Sequence, residues 1–198
     1  MERLRRIVYI VAMEAEAEPL IERYQLKERK GAFAPLPCRL FEGRAGEAEL
    51  FVALNGRQHE RDLVGCEAAT LTTIEAVRLL RPELLINSGT CGAFRSRGAE
   101  IGKVYIGSGA MFHDRRVPGD DQWGTQSVGN YPVWQGSKEL ADGLGLPMAK
   151  VTTGSSLDMQ PCDLSVIREH GGELKDMEGA AVGLVGELTG VPVLYVQA

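Results

Sequence analysis

Short, continuous apolar runs alternate with helix-like segments along this chain, and this alternation limits the folds that it can adopt. Residues 7–12 are apolar and rich in β-branched side chains, which is typical of a strand covered on both faces. Similar patterns predict strands over residues 39–41, 49–54, 84–87, 103–108, 149–153 and 191–198. Apolar residues at helical spacing predict helices over residues 15–24, 62–80, 164–170 and 179–188. We therefore expect an α/β fold: a three-layer sandwich with helices on both faces of a central mixed, largely parallel sheet.

The length and composition favour a single domain. The chain has 198 residues, of which 44% are hydrophobic and 25% charged, as in ordinary globular proteins. It contains no internal repeat, low-complexity segment or linker, so we predict one domain over residues 1–198. Residues 116–134, rich in Gly, Asp and Pro, are predicted to be irregular. This stretch is expected to be a lid or a partner-contacting loop, with a plain connection as the alternative.

The charge and cysteine patterns exclude several classes of function. The net charge is −5 and no basic run is present, so neither nucleic acid nor a membrane surface is an expected partner. The four cysteines lie far apart, which favours free thiols and a cytoplasmic location. They match no metal-ligand spacing with the three histidines, so no metal is expected. The apolar run after the first arginines is too short for a signal peptide and is followed by acidic residues.

The segment DMEGAAVG, at residues 176–183, carries the most informative chemistry. It sets carboxylates and a thioether against a run of tiny residues at the start of a predicted helix. A carboxylate accepts hydrogen bonds, which suits a partner that offers hydroxyl donors, such as the two vicinal hydroxyls of a ribose. The alternative is a solvated acidic pair in the first helical turn, where the helix dipole favours negative charge.

Five segments give the chain a resemblance to a known family. They are VAMEAE at 11–16, INSGTCG at 86–92, FHDRR at 112–116, TGSSLDM at 153–159 and DMEGAAV at 176–182. In this order they resemble the plant-type branch of the 5′-methylthioadenosine/S-adenosylhomocysteine nucleosidases, within the nucleoside phosphorylase superfamily. The resemblance covers essentially the full length. It implies a nucleoside phosphorylase-like fold, a purine nucleoside substrate, no cofactor, and a homodimer in which the partner chain helps to close the pocket.

The resemblance also implies roles for individual residues. Glu16 matches the glutamate that activates water, and Glu178 matches the glutamate that binds the ribose, so both are expected to be catalytic. Met177 matches the residue that packs under the sugar. The other expected substrate-binding residues are Thr90, Cys91 and Gly92 beside the nucleoside, and Leu157 and Asp158 in the segment that contacts adenine. The roles of His113 and Arg115 stay open, since a lone histidine after a strand is more often structural.

The expected reaction is the hydrolysis of 5′-methylthioadenosine, with S-adenosylhomocysteine as a further substrate, to adenine and the thio-ribose in methionine salvage. Such a cleavage needs an acid at the purine, a base for water and groups that hold the sugar. A purine nucleoside phosphorylase of the same fold is an alternative, disfavoured because Glu16 would repel phosphate. Another alternative is a catalytically inactive form that only binds nucleosides. A Rossmann cofactor domain is disfavoured because no G-x-G-x-x-G precedes a helix.

The resemblance places the purine-protonating aspartate a few positions beyond Ala198, followed by a further C-terminal helix. We therefore expect the 198-residue chain to be truncated at its C-terminus and to lack that helix. The last predicted strand, with Val193, Leu194 and Val196, would then be uncovered and prone to aggregation.

Overall fold

The structure is a computed structural model that describes residues 4–117 and 121–198. Strands and helices alternate through most of this part of the chain, as the apolar runs predict. The strands are β1 (Arg6–Val11), β2 (Lys27–Glu28), β3 (Arg39–Ala45), β4 (Ala48–Leu54), β5 (Arg57–Gln58), β6 (Arg61–Asp62), β7 (Leu84–Gly89), β8 (Gly92–Ala93), β9 (Tyr105–Phe112), β10 (Met148–Thr153), β11 (Leu174–Asp176) and β12 (Val193–Gln197). The α-helices are α1 (Glu14–Tyr24), α2 (Cys66–Leu80), α3 (Asp121–Val128), α4 (Ser137–Leu144), α5 (Pro161–Glu169) and α6 (Gly179–Thr189), and a short 3₁₀ turn covers Arg95–Arg97.

One large mixed sheet organises the fold. Its strand order is β2-β3-β4-β1-β7-β12-β9-β10-β11-β8, and β5 and β6 form a separate two-stranded hairpin. The strands β4, β1, β7 and β12 run parallel to their neighbours in that order, as do β9, β10 and β11. The pairs β2–β3, β3–β4, β12–β9 and β11–β8 are antiparallel. The predicted class, an α/β fold with a central and largely parallel sheet, is confirmed.

Helices cover both faces of this sheet. Leu85 packs in the cluster that contains Ala69 of α2 and Ala180 of α6. Its neighbours Leu84 and Ile86 pack in another cluster with Ala141 of α4. Successive residues of a strand point to opposite faces, so α2 and α6 lie on one side of the sheet and α4 on the other. This alternation explains why Leu84, Leu85 and Ile86 are all apolar, and it confirms the three layers.

The sheet curls so that distant strand ends meet. β8 begins at Gly92, shortly after β7 ends at Gly89, yet β8 pairs with β11 on the far side of three intervening strands. The short connection through Thr90 and Cys91 therefore links the carboxyl end of β7 directly to β11. As a result, residues that follow β1, β7 and β11 can face one common space.

Several predicted elements differ from the structure. Within the predicted irregular stretch 116–134, Asp121–Val128 is the helix α3, while residues 118–120 lie outside the described part of the chain. The helices α4 and α3 are each only eight residues long, too short for a strong periodic signal. The prediction of an uncovered last strand is wrong: β12 lies in the middle of the sheet between β7 and β9, and Val193 and Leu194 are buried. Across the described residues, no helix has the length and apolar character needed to cross a membrane.

Candidate active site

A cavity of about 460 Å³ lies where the ends of β1, β7 and β11 meet. It brings together seven of the eight predicted site residues, from both ends of the sequence. The described residues that line it are Ala12, Met13, Glu16, Val64, Thr90, Cys91, Gly92, Leu157, Lys175, Asp176, Met177 and Glu178. The volume is in the range of small-ligand pockets, and the lining combines apolar side chains with a few polar groups.

Glu16 lies in the first turn of α1, immediately after β1, and its carboxylate is held by three donors. Oε1 accepts hydrogen bonds from the Thr90 backbone N–H at 2.7 Å and from the Thr90 hydroxyl at 2.8 Å. Oε2 accepts a longer bond, 3.2 Å, from the backbone N–H of Met13, the residue that caps the helix. Glu16 therefore has the structural role of a first-turn acid and also faces the cavity. Glu14 is also a first-turn acid, but it is not among the described lining residues of the cavity, and its carboxylate pairs with Arg39 at 2.7 Å.

Glu178 precedes the first residue of α6, and its side chain reaches across the cavity wall to α2. Its Oε1 accepts a hydrogen bond of 2.7 Å from the backbone N–H of Gly65, which caps α2. Burial, together with the negative charges of Asp176 and Glu16, raises the pKa of Glu178 to about 7, against the opposing hydrogen bonds from the backbone N–H groups of Gly65 and Met177. The charge of Glu16 is thus felt at Glu178, as expected for two carboxylates around one cavity.

Asp176 is a site residue whose role sequence reasoning missed. It ends β11, is buried, and accepts hydrogen bonds from the Thr153 hydroxyl and, at 2.7 Å, from the Gly179 backbone N–H. The amide nitrogen of Gln197 lies 3.4 Å from Asp176 and 2.9 Å from the side-chain oxygen of Asn87. Burial raises the pKa of Asp176 to about 6. This network fixes the turn that carries Met177 and Glu178. The sequence signal for this role was an Asp shortly before a predicted helix, where a carboxylate can accept hydrogen bonds from the first backbone N–H groups.

The loop between β7 and β8 forms a second wall. Thr90, Cys91 and Gly92 all line the cavity. A Cβ at Gly89 would lie 3.2 Å from Glu16 Oε1, so glycine there permits the approach of Glu16. A Cβ at Gly92 would make only ordinary contacts, the nearest at 3.8 Å, so this glycine is not required by space. Burial raises the pKa of the Cys91 thiol to about 11, and the thiol is neutral at physiological pH.

Leu157 and Asp158 differ in position. Leu157 lines the cavity and is 85% exposed. Asp158 is not among the described lining residues, and its carboxylate accepts a bond of 3.2 Å from the Gln160 side chain.

His113 is buried, and its Nδ1 lies 2.9 Å from the Thr152 hydroxyl. Burial lowers the pKa of His113, which fits a neutral, structural imidazole in contact with β10.

Comparison with known proteins finds a matching superfamily and similar sequences. The sequence profile of the phosphorylase superfamily matches residues 6–198. A 5′-methylthioadenosine nucleosidase from Arabidopsis thaliana is 36% identical over 196 residues, which cover 97% of this chain and 73% of the relative. A 5′-methylthioadenosine/S-adenosylhomocysteine nucleosidase from the same plant is 35% identical and is covered over 76% of its length. A bacterial nucleosidase, from Bacillus cytotoxicus, is 25% identical.

A solved structure shows the same family resemblance. The apo structure of the Arabidopsis thaliana 5′-methylthioadenosine nucleosidase superposes with a TM-score of 0.95 at 35% identity, over 100% of this chain and 82% of that one. These similarities and the mixed sheet make the chain a member of the phosphorylase superfamily. Within that superfamily it belongs to the 5′-methylthioadenosine/S-adenosylhomocysteine nucleosidase family, and the more similar relatives reported above are the plant ones.

Proposed function

We propose that this protein binds 5′-methylthioadenosine and hydrolyses its N-glycosidic bond to give adenine and the thio-ribose, with S-adenosylhomocysteine as a further substrate and methionine salvage as the process served. The observation that carries the proposal is the convergence of Glu16, Met177 and Glu178 on one cavity. The relatives with 36% and 35% identity are named for these two substrates. The nucleosidase family and the two carboxylates therefore support the same reaction.

The two carboxylates fit different steps. Glu178 in its ionised form offers acceptor oxygens to the ribose hydroxyls, and its charge stabilises the positive charge that develops on the sugar. Met177, beside it on the cavity wall, offers an apolar surface for the sugar to pack against. Glu16 Oε2 accepts one weak bond, from Met13, so it retains capacity to take a proton from water. The reaction also needs an acid that protonates the purine as it leaves.

The hydrogen bonds of Glu16 support hydrolysis over phosphorolysis. A phosphate site needs backbone N–H donors or cations that face the ligand. In this cavity the Thr90 N–H and hydroxyl are both taken by Glu16. Lys175, the single cation among the described lining residues, donates to backbone carbonyls instead. A phosphate placed beside Glu16 would meet a negative charge and occupied donors.

The test is the release of adenine from 5′-methylthioadenosine by the full-length protein, with and without phosphate. We expect equal rates in both buffers and free thio-ribose as the second product. Glu178→Gln should weaken nucleoside binding, since the amide places a donor where the hydroxyls need an acceptor, and Glu22→Gln on the exposed side of α1 is the matched control. Phosphate-dependent formation of a sugar phosphate, or wild-type affinity in Glu178→Gln, would contradict the proposal.

We also propose that the protein is a homodimer through the outer surface of α2 and α6. Several large apolar side chains are exposed there or on the adjoining loop, namely Val64, Leu71, Ile74 and Leu188. Val64 also lines the cavity, so a second copy bound at this surface would lie beside the cavity opening. Large apolar side chains exposed on neighbouring elements are typical of an interface.

Light scattering after size exclusion tests the dimer. Leu71→Glu should give a monomer, because it would bury an unpaired charge in the interface. Leu144→Glu is the control, since Leu144 is 60% exposed on α4, at the other face of the sheet. A wild-type monomer at micromolar concentration, or the same result for both variants, would refute this interface.

The four unpaired cysteines support a cytoplasmic location, to be checked by fluorescence microscopy of the tagged protein.

A further inference from the structure

Lys175 is the one cavity-lining residue with a positive charge, within the part of the chain that the structure describes. It lies on β11 directly before Asp176, opposite Thr152 of β10 on one side and Gly92 of β8 on the other. Its ammonium does not pair with any of the three cavity carboxylates in the described contacts. Instead, Nζ donates hydrogen bonds to the carbonyl oxygens of Ser156 at 2.7 Å and Leu157 at 3.2 Å.

These two carbonyls belong to residues 154–158, which we call the purine-side segment. Its first part is anchored by the Gly154 N–H to the Asp176 carbonyl at 3.2 Å and by the Ser155 N–H to Asp114 at 2.7 Å. Beyond Ser155 the segment is exposed, and Leu157 has little apolar packing to hold it. Lys175 therefore supplies two charge-assisted hydrogen bonds to the backbone of Ser156 and Leu157, where the segment is exposed and packing does not hold it.

We propose that Lys175 is a positioning residue that sets the purine-side wall of the cavity and thereby the affinity for adenine. This inference rests on the proposed function and on the expectation, from the family resemblance, that Leu157 and Asp158 contact adenine. The side chain bridges the strand that ends in Asp176 to the segment across the cavity, so it couples the ribose side to the purine side. Main-chain groups can contact a purine well only when the backbone is held in place before binding.

Charge balance is the competing explanation for a lysine beside Glu16, Asp176 and Glu178. Loss of a merely balancing charge would affect the carboxylates on the ribose side and weaken every ligand that contacts them. Loss of a positioning contact would move the purine-side segment and weaken only ligands that contain the base. The two explanations therefore predict different losses of affinity for ligands with and without the base. In the ligand-free protein, only the positioning explanation predicts that the purine-side segment becomes more mobile.

The experiment compares Lys175→Met, Lys175→Arg and the control Lys138→Met with wild type. Methionine keeps an apolar stem without the ammonium, arginine keeps a charged donor, and Lys138 forms an exposed pair with Asp142 on α4 at 2.7 Å. In the free protein, hydrogen–deuterium exchange of peptides covering residues 154–160 should rise several-fold in Lys175→Met only. By calorimetry on the full-length protein, adenine should bind about tenfold more weakly to Lys175→Met, while binding of 5-methylthioribose stays within twofold.

Wild-type exchange in Lys175→Met would overturn the inference, as would equal losses for adenine and 5-methylthioribose. Failure of Lys175→Arg to restore exchange and adenine affinity at least in part would count against it as well. Thermal unfolding of each variant shows whether a loss is local or global. Wild-type protein that binds neither adenine nor 5′-methylthioadenosine would refute the proposed function, and the exchange result would still decide whether Lys175 holds the segment.

Discussion

Glu178→Gln is expected to make the ligand-free protein more stable at alkaline pH while it weakens nucleoside binding. Burial and the neighbouring charges raise the pKa of Glu178 from 4.5 to about 7, so the folded protein binds this proton more tightly than the unfolded chain does. The contribution of Glu178 to stability is therefore most favourable below about pH 4.5 and is lost as the pH rises towards 7. A glutamine keeps the shape and the oxygen that accepts from Gly65, and it carries no charge.

The size of the effect follows from the same pKa. Each tenfold change in proton affinity corresponds to about 1.4 kcal/mol, so a rise from 4.5 to about 7 gives an upper limit of about 3 kcal/mol at pH 8. Near pH 5 the folded protein already has Glu178 protonated, and the difference should fall below about 1 kcal/mol. For a chain of this length, 3 kcal/mol raises the melting temperature by roughly 6–12 °C.

Thermal and urea unfolding of the ligand-free protein at about pH 5 and about pH 8 measure this difference. The matched control is Glu22→Gln, because Glu22 is exposed on α1 and the change removes the same charge from the surface. Its stability should stay within about 0.5 kcal/mol of wild type at both pH values. The reasoning is refuted if Glu178→Gln is no more stable than wild type near pH 8, or if it gains the same stability near pH 5.

Three further outcomes are expected. Affinity for 5′-methylthioadenosine should fall up to tenfold for each pH unit below about 7, because the nucleoside needs Glu178 ionised, and calorimetry of Glu178→Gln should show no such dependence. Glu16→Gln should lower adenine release by the full-length protein about 10²–10⁴-fold with little change in affinity, and a smaller drop would show that another group activates water. Gly56→Ala should cost more than about 2 kcal/mol in urea unfolding, since its Cβ would lie 2.0 Å from the Pro37 carbonyl oxygen at a φ of +86°. Gly31→Ala, with φ +69° and no neighbour within 4 Å, should cost only about 1 kcal/mol.

The layers of the fold were predictable because local sequence carries them. The run at residues 7–12 became β1 (Arg6–Val11), and the prediction at 84–87 became β7 (Leu84–Gly89). The apolar runs at residues 7–12 and 84–86 reflect strands with both faces covered. Helix α6 also ended where Gly190 takes the left-handed conformation of a C-cap. These features depend on the nearest few residues, which a single sequence displays.

The strand order was not predictable in the same way. The position of β12 between β7 and β9 depends on which strands pair. The apolar residues 193–196 are compatible with a strand at the edge of the sheet and with one at its centre. Helix α4 had weak signals: apolar residues at 140, 141 and 144, and Gly145 as a left-handed C-cap. Lys175 had none, since its role depends on the approach of Ser156 and Leu157 from a distant segment.

The three cavity carboxylates share one physical arrangement that connects stability with function. Glu16 is held by the Thr90 and Met13 backbone N–H groups, Asp176 by that of Gly179, and Glu178 by that of Gly65. Backbone donors reduce the cost of burying an anion without placing a counter-charge on it. A cation paired with Glu178 would lower its pKa and stabilise the free protein, but it would occupy the acceptors that the ribose hydroxyls need. The raised pKa of Glu178 is therefore the expected consequence of keeping that carboxylate available to a ligand.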